Sequence, residues 1–260
     1  MSGADARHKL IDFNSDIGES FGTYKLGFDE EVIDCISSAN VACGFHAGDP
    51  VWMRHTVELA ESRGVGIGAH PAFPDLRGFG RRNMNIDPQE VRDDVVYQIG
   101  ALTAFTRDKK LQHVKPHGAM YNMAVNDEKL ARAICEAILS VDPDLILLAL
   151  SGSRWVEIAE EMGLRVAREV FADRALMPDG TLAPRSQPGA VLHDPEQIAE
   201  RSLRMATEGV IEAVDGSQVE VRADSICLHG DTPGAVEIAR RVRSALEADG
   251  IEITPLKDLV

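Results

Sequence analysis

Basic residues are scarce in this 260-residue chain: 27 Lys and Arg stand against 42 Asp and Glu, a formal net charge of −15. Nucleic acid and anionic membrane surfaces require a cationic face, so neither is expected as a partner. An anionic small molecule needs only a local group of arginines and stays admissible. No apolar run is long enough to span a bilayer. Cysteine is sparse as well. Cys35, Cys43, Cys135 and Cys227 are scattered without a Cys-x-x-Cys pair, which argues against a disulfide framework and a structural zinc site and leaves buried thiols in a reducing cytoplasm. Met1 to Lys9 is short, polar and without the apolar core of a signal peptide. Residues 1–9 are expected to form a flexible tail ahead of one domain spanning 10–260, in the cytoplasm. The chain also lacks G-x-x-x-x-G-K-[ST] and G-x-G-x-x-G phosphate cradles and a G-x-S-x-G nucleophile elbow.

What is present is a repeated grammar: an apolar run, one or two polar residues at its end, a glycine or proline, then a helix. Asn40 to Pro50 shows it best, with His46 between Gly44 and Gly48 and with Asp49-Pro50 as a helix start. Leu10–Phe13, Val65–Ala69, Gln112–Lys115, Leu145–Leu150, Leu164–Val170 and Ser225–Leu228 read as further strands, and Val219–Val221 as a short extra one. Asp87-Pro88 and Asp194-Pro195 open helices, Asn126 is placed to cap another, and Asp231 or Thr232 the last, from Pro233 to about Gly250. About seven strand–helix units in strict alternation, each strand closing on polar residues, fit a parallel (β/α) barrel. A doubly wound sheet would gather its ligands at one switch point instead.

In a barrel the strand ends converge on one mouth. They offer Asn14, Asp16 and Glu19, then His46 and Asp49, His70, Lys115 and His117, Glu169 and Asp173, and His229 and Asp231. Asp49 and Asp231 also suit plain helix caps, and Lys115 suits an ion pair with Glu169 or Asp16. His8, His55, His113 and His193 lack this placement and read as structural or surface residues. Convergent imidazoles and carboxylates fit a divalent metal, for which Asp16, His46 and His117 are the candidate ligands, and fit metal-free acid–base chemistry equally well. Arg77, Arg81 and Arg82 surround Gly78 and Gly80 and could grip a carboxylate or phosphate, with Arg174 and Arg185 as weaker candidates.

Several stretches taken together resemble the LamB/YcsF family of lactam-utilisation proteins, understood as the A subunit of the prokaryotic 5-oxoprolinase. They are Asp12 to Glu19, Asn40 to Pro50, Gly68 to Pro71, Val114 to Asn122 and His229-Gly230-Asp231, with Phe171 to Arg174 and Pro184-Arg185 in support. The resemblance runs from about Leu10 to the C-terminus. It implies a distorted seven-stranded (β/α) barrel of the glycoside hydrolase/deacetylase type. It also implies ATP-dependent opening of 5-oxo-L-proline to L-glutamate with subunits B and C, ATP being a co-substrate bound mainly by those partners. On this basis Asp16 or His46 is expected to handle water, and Lys115 and His117 to stabilise the oxyanion. His70, Glu169 and Asp231 complete the pocket, and Arg77, Arg81 and Arg185 clamp carboxylate or phosphate. Two alternatives stand beside this reading: a divalent-metal amidohydrolase or deacetylase, and a non-catalytic subunit that presents substrate.

Overall fold

Three Asp-Pro pairs start three of the long helices. Asp49, Asp87 and Asp194 each accept hydrogen bonds from the first backbone N–H groups, and the following proline occupies a position where its missing N–H costs nothing. The computed structural model describes residues 10–230 and 234–260. The tail expected over 1–9, His8, Asp231 and the helix start at Thr232-Pro233 lie outside the described residues.

In chain order the elements are β1 (Leu10–Ile17), α1 (Asp29–Val32), β2 (Ser38–Ala42), α2 (Pro50–Arg63), β3 (Gly66–His70), α3 (Pro88–Thr103), β4 (His113–Val114), α4 (Gly118–Ala124), α5 (Glu128–Val141), β5 (Ile146–Leu150) and α6 (Arg154–Glu161). There follow β6 (Arg165–Phe171), α7 (Pro195–Thr207), β7 (Val210–Glu212), β8 (Gln218–Glu220), β9 (Ser225–His229), α8 (Ala235–Ala248) and β10 (Glu252–Ile253). Strands β1 to β6 pair in sequence order, all parallel. β9 pairs with both β6 and β1 and so closes a seven-stranded barrel. β10 adds to the start of β1, and β7 and β8 form a separate antiparallel ribbon. The expected barrel is therefore present. α5 is capped by Asp127 rather than Asn126, and α4, β7 and β10 are elements the periodicity did not indicate.

Two layers fill the molecule differently. Outside the barrel, apolar residues from alternate strand positions pack on the helices, among them Phe13, Ile17, Val41, Ala69, Leu147 and Val170 with Val57, Ile99, Ile134 and Val242. Inside the barrel the filling is largely polar. Asp12 accepts from Ser37 (2.7 Å), Ser38 (2.5 Å) and Ser225. Asn14 donates to Glu169 (3.1 Å) and Ser225 (2.7 Å), and Asn40 donates to Asn14 (2.7 Å) and Asp16 (2.8 Å). His113 Nε2 donates to Asn40 Oδ1 at 2.7 Å, while its Nδ1 accepts from Gln112. A Cβ on Gly68 would clash with Nε2 of the His113 ring, so this glycine makes room for the stack. Ile146, Leu148, Ala167 and Leu256 form a small apolar cluster of their own.

Candidate active site

Residues Asp12, Asn14 and Asp16 are two apart on β1 and share its inward face, so the polar stack climbs the barrel and emerges at the mouth. Asp16 is the junction there. Its Oδ1 accepts from Asn40 and from Lys115 Nζ at 3.0 Å, and its Oδ2 lies 3.4 Å from His70 Nε2 and 3.9 Å from His229 Nε2. Burial opposes charge on Asp16, but His70 and Lys115 outweigh it and hold the carboxyl well below the usual carboxylate range.

Lys115 is buried with Asn14 Oδ1 (3.3 Å), Asp16 Oδ1 (3.0 Å), Glu169 Oε1 (2.9 Å) and Cys227 Sγ (2.9 Å) around its ammonium. Burial works against the charge, and the carboxylates of Asp16 and Glu169, with the hydrogen bond to Cys227 Sγ, more than restore it, raising Lys115 well above the ordinary amine value. Four acceptors surround three N–H groups, so the lysine is committed to the protein. Beneath it Cys227 stays a thiol, pushed well up by burial. Neither of the ion pairs foreseen for Lys115 excludes the other: it makes both.

The histidines form two groups. His229 Nδ1 lies 3.0 Å from both oxygens of buried Asp173 and donates to them, which leaves Nε2 as a lone pair beside Asp16. His70 Nδ1 is 2.6 Å from the Lys115 carbonyl, and His117 Nε2 is 2.9 Å from the Phe79 carbonyl. A carbonyl only accepts, so both of those nitrogens carry hydrogen. The other nitrogens, His70 Nε2 and His117 Nδ1, face each other at 3.0 Å. His46 stacks on His117 with ring centroids 3.8 Å apart, and its Nε2 is 3.0 Å from Glu19 Oε1. Burial, reinforced by neighbouring imidazoles, pushes His46 and His117 well below the ordinary imidazole value. Glu19, His46, His70 and His117 place one donor atom each within 4.8 Å of the others, a buried group that can hold a metal ion; Asp16, Cys227 and His229 form a second such group. The metal candidates Asp16 and His46 thus fall in different groups.

Above these residues lies a cavity of about 550 Å³ lined by Asp16, His70, Lys115, His117 and His229 together with Arg81, Arg174 and Arg185. Burial and nearby Arg185 lower the buried Arg174 guanidinium to about 10. Other expected residues stand elsewhere. His46 and Glu19 sit one layer behind His117 and do not line the cavity. Asn14 lies below it in the polar stack, and Glu169, outside the lining, pairs with Lys115. Asp49 spends its carboxylate on capping α2 and on the backbone N–H of Gly22. Arg77 is exposed and outside the lining, and Arg82 is bound to Asp75. Tyr121 and Asn122 line the cavity from α4. They fall within the Val114 to Asn122 stretch, but nothing in their residue type marks them as lining.

Fold and site together define a parallel (β/α) barrel protein with its ionisable residues gathered at the carboxyl ends of the strands. Comparison with known proteins places it further: the LamB/YcsF family profile matches residues 11–260, and the chain belongs to that family. It is 58% identical over 252 residues to a Pyrococcus abyssi protein named as the A subunit of 5-oxoprolinase, covering 96% of this chain and 99% of that one. The crystal structure of a lactam utilization protein from Thermus thermophilus superposes with a TM-score of 0.89 at 51% identity, covering 94% of this chain and 99% of that one. A structure described as T48 deacetylase with substrate, 14% identical, shares the fold at a TM-score of 0.51 over 96% of this chain and 90% of that one. Among the described residues no helix is long and apolar enough to cross a membrane.

Proposed function

We propose that this chain is the A subunit of an ATP-dependent 5-oxoprolinase, opening 5-oxo-L-proline to L-glutamate in the cytoplasm together with subunits B and C. The observation that carries the reading is the near-complete alignment, at 58% identity, with a protein of that name. The cavity supports it with arginines for an anionic substrate and an oriented imidazole beside a carboxylate.

In this reading Arg81, Arg174 and Arg185 receive the carboxylate of the substrate and any phosphate placed on its ring oxygen. Water sits between His229 Nε2 and Asp16 Oδ2, two acceptors 3.9 Å apart, and donates one hydrogen to each, so its oxygen lone pairs face the ring. His229 takes a proton as the water oxygen bonds to the ring carbonyl carbon. The C–N bond then breaks and the ring nitrogen takes a proton back; with phosphate on the ring oxygen this leaves an acyl phosphate, whose hydrolysis by a second water releases inorganic phosphate and the carboxylate of glutamate. Asp173 holds the imidazole in the required tautomer, and Lys115 keeps Asp16 ionised instead of meeting the oxyanion directly. In this reading phosphoryl transfer from ATP falls mainly to the partners, and this sequence carries no standard phosphate cradle.

A metal-assisted amide hydrolysis is the second reading, favoured by the buried group of Glu19, His46, His70 and His117. A divalent ion there would polarise the ring carbonyl or acidify a water. The deciding experiment is glutamate release from 5-oxoproline and ATP with subunits B and C present and this chain added or omitted. Release only when it is added supports the proposal; release without it removes it.

A further inference from the structure

Two imidazole nitrogens in contact usually share a hydrogen that one of them supplies. As neutral rings, His70 and His117 do not have one to share. Each has already placed its ring hydrogen on a backbone carbonyl, His70 on that of Lys115 and His117 on that of Phe79, so two lone pairs confront each other at 3.0 Å in a buried setting. Two further electron-pair donors lie close by: Glu19 Oε1 at 3.7 Å from His117 Nδ1, and Asp16 Oδ2 at 3.4 Å from His70 Nε2. A cation has to stand among them. A single proton satisfies two of these atoms, whereas a divalent ion satisfies three together.

We propose that His70 Nε2, His117 Nδ1 and a Glu19 carboxylate oxygen bind one divalent transition-metal ion of the zinc, nickel or iron type, with His46 as a positioning residue for Glu19. Donor chemistry favours this class, because imidazole nitrogen suits these ions and not magnesium or calcium. Spacing favours it too. Metal–nitrogen bonds of about 2.0–2.1 Å in a tetrahedral site separate neighbouring donor atoms by about 3.3 Å. The separations of 3.0 and 3.7 Å lie on either side of that value. The surroundings are built for it: ligating histidines fix their second nitrogen on a carbonyl or carboxylate, which both rings do here. One of those carbonyls belongs to Phe79, held at φ 55, a left-handed conformation unfavourable for an aromatic residue. The loop therefore accepts local strain where it orients His117. Finally, His46 donates from Nε2 to Glu19 Oε1 and stacks on His117, touching two of the three ligands. This geometry carries the ion site whatever the substrate is.

The test is equilibrium dialysis of the purified full chain, stripped with chelator, against Zn²⁺, Ni²⁺, Co²⁺ or Mn²⁺ alone, with bound metal quantified and the visible absorption of the Co²⁺ form recorded. The expected result is one ion per chain at sub-micromolar affinity, with a rise in Tm on loading. His70→Ala and His117→Ala should lose stoichiometric binding, and His46→Gln should keep one ion at roughly tenfold weaker affinity. Circular dichroism checks that the variants fold. If a variant does not fold, the unmodified chain decides. A folded chain that binds none of these ions more tightly than micromolar overturns the proposal, and the two rings then share a proton.

Discussion

Both carboxylate oxygens of Asp173 lie 3.0 Å from Nδ1 of His229. The two residues come from the ends of neighbouring strands, β6 and β9, and the contact settles which nitrogen of His229 faces the cavity. The proposed role as base rests on that tautomer. Asp173→Asn would offer the ring an amide that need not accept its hydrogen, and His229→Ala would remove the base. In the reconstituted 5-oxoprolinase assay, His229→Ala should lower kcat by about 10²–10⁴. Asp173→Asn should lower kcat with little change in KM. Wild-type turnover in a folded Asp173→Asn protein would assign the proton transfer to another group.

Lys115 lies within 3.0 Å of one carboxylate oxygen on each of two buried acids, Asp16 and Glu169. Lys115→Met would leave both acids buried without their cation. The expected loss of stability is about 3–5 kcal/mol, the cost of breaking a buried ion pair from one side. Urea denaturation measures it. A loss under about 1 kcal/mol, the level of an exposed pair, would show that the two acids find other compensation.

Asp12 lies at the inner, lower end of the same polar stack, and burial pushes its carboxyl up to about 6 despite hydrogen bonds from Ser225, Ser38 and Ser37. The folded protein therefore holds a proton here that the unfolded chain, with a value near 3.8, releases earlier. Between these values the native state binds more protons, so this group's contribution falls as pH rises from about 4 and is lost above about 6. The change amounts to roughly 2–3 kcal/mol for a shift of this size. Asp12→Asn should remove this dependence. Denaturation midpoints of the two proteins between pH 4.5 and 7.5 should converge at the acid end and separate in favour of the variant towards neutrality. Parallel curves would show that Asp12 stays ionised throughout.

The readable parts of the fold were those with local causes. Asp-Pro pairs announce helix starts because cap and ring act on adjacent residues, and continuous apolar strands such as Ile146–Leu150 announce a parallel sheet covered on both faces. Polar residues after those strands marked the mouth, and cavity-lining Asp16, His70, Lys115, His117 and His229 were all among them. Depth was not readable. Nothing local distinguishes His46, one layer behind, from His117 in the lining, because only the path of the 71–82 loop and the stacking of the rings separate them. The two-residue strand β4 and the short helix α4 carry too few residues to show a period. The Phe79 carbonyl, which sets the tautomer of His117, is backbone and leaves no mark in residue type. The polar barrel interior depends on Asp12, Ser38, Asn40, His113 and Ser225 meeting from four strands, so no single segment displays it.

That interior gives a test in which a glycine and a histidine depend on one another. Gly68 on β3 faces His113 on β4, and the His113 ring occupies the volume a Cβ at position 68 would need. The ring is buried and cannot swing aside freely, because its Nε2 is bonded to buried Asn40 and its Nδ1 to Gln112. Gly68→Ala alone should therefore destabilise the protein by about 1–3 kcal/mol through overpacking, although alanine normally suits a strand better than glycine. His113→Ala alone should destabilise as well, by opening a cavity and leaving the Asn40 carbonyl without its donor. In the double variant the added methyl enters the space the ring has left, so the two costs should fall short of their sum by about 1–3 kcal/mol, the coupling found for residues in direct contact. Chemical denaturation of the four proteins closes the cycle. Additive costs would mean that the ring and the glycine do not share this space, and that the polar stack tolerates a wider barrel than the one observed.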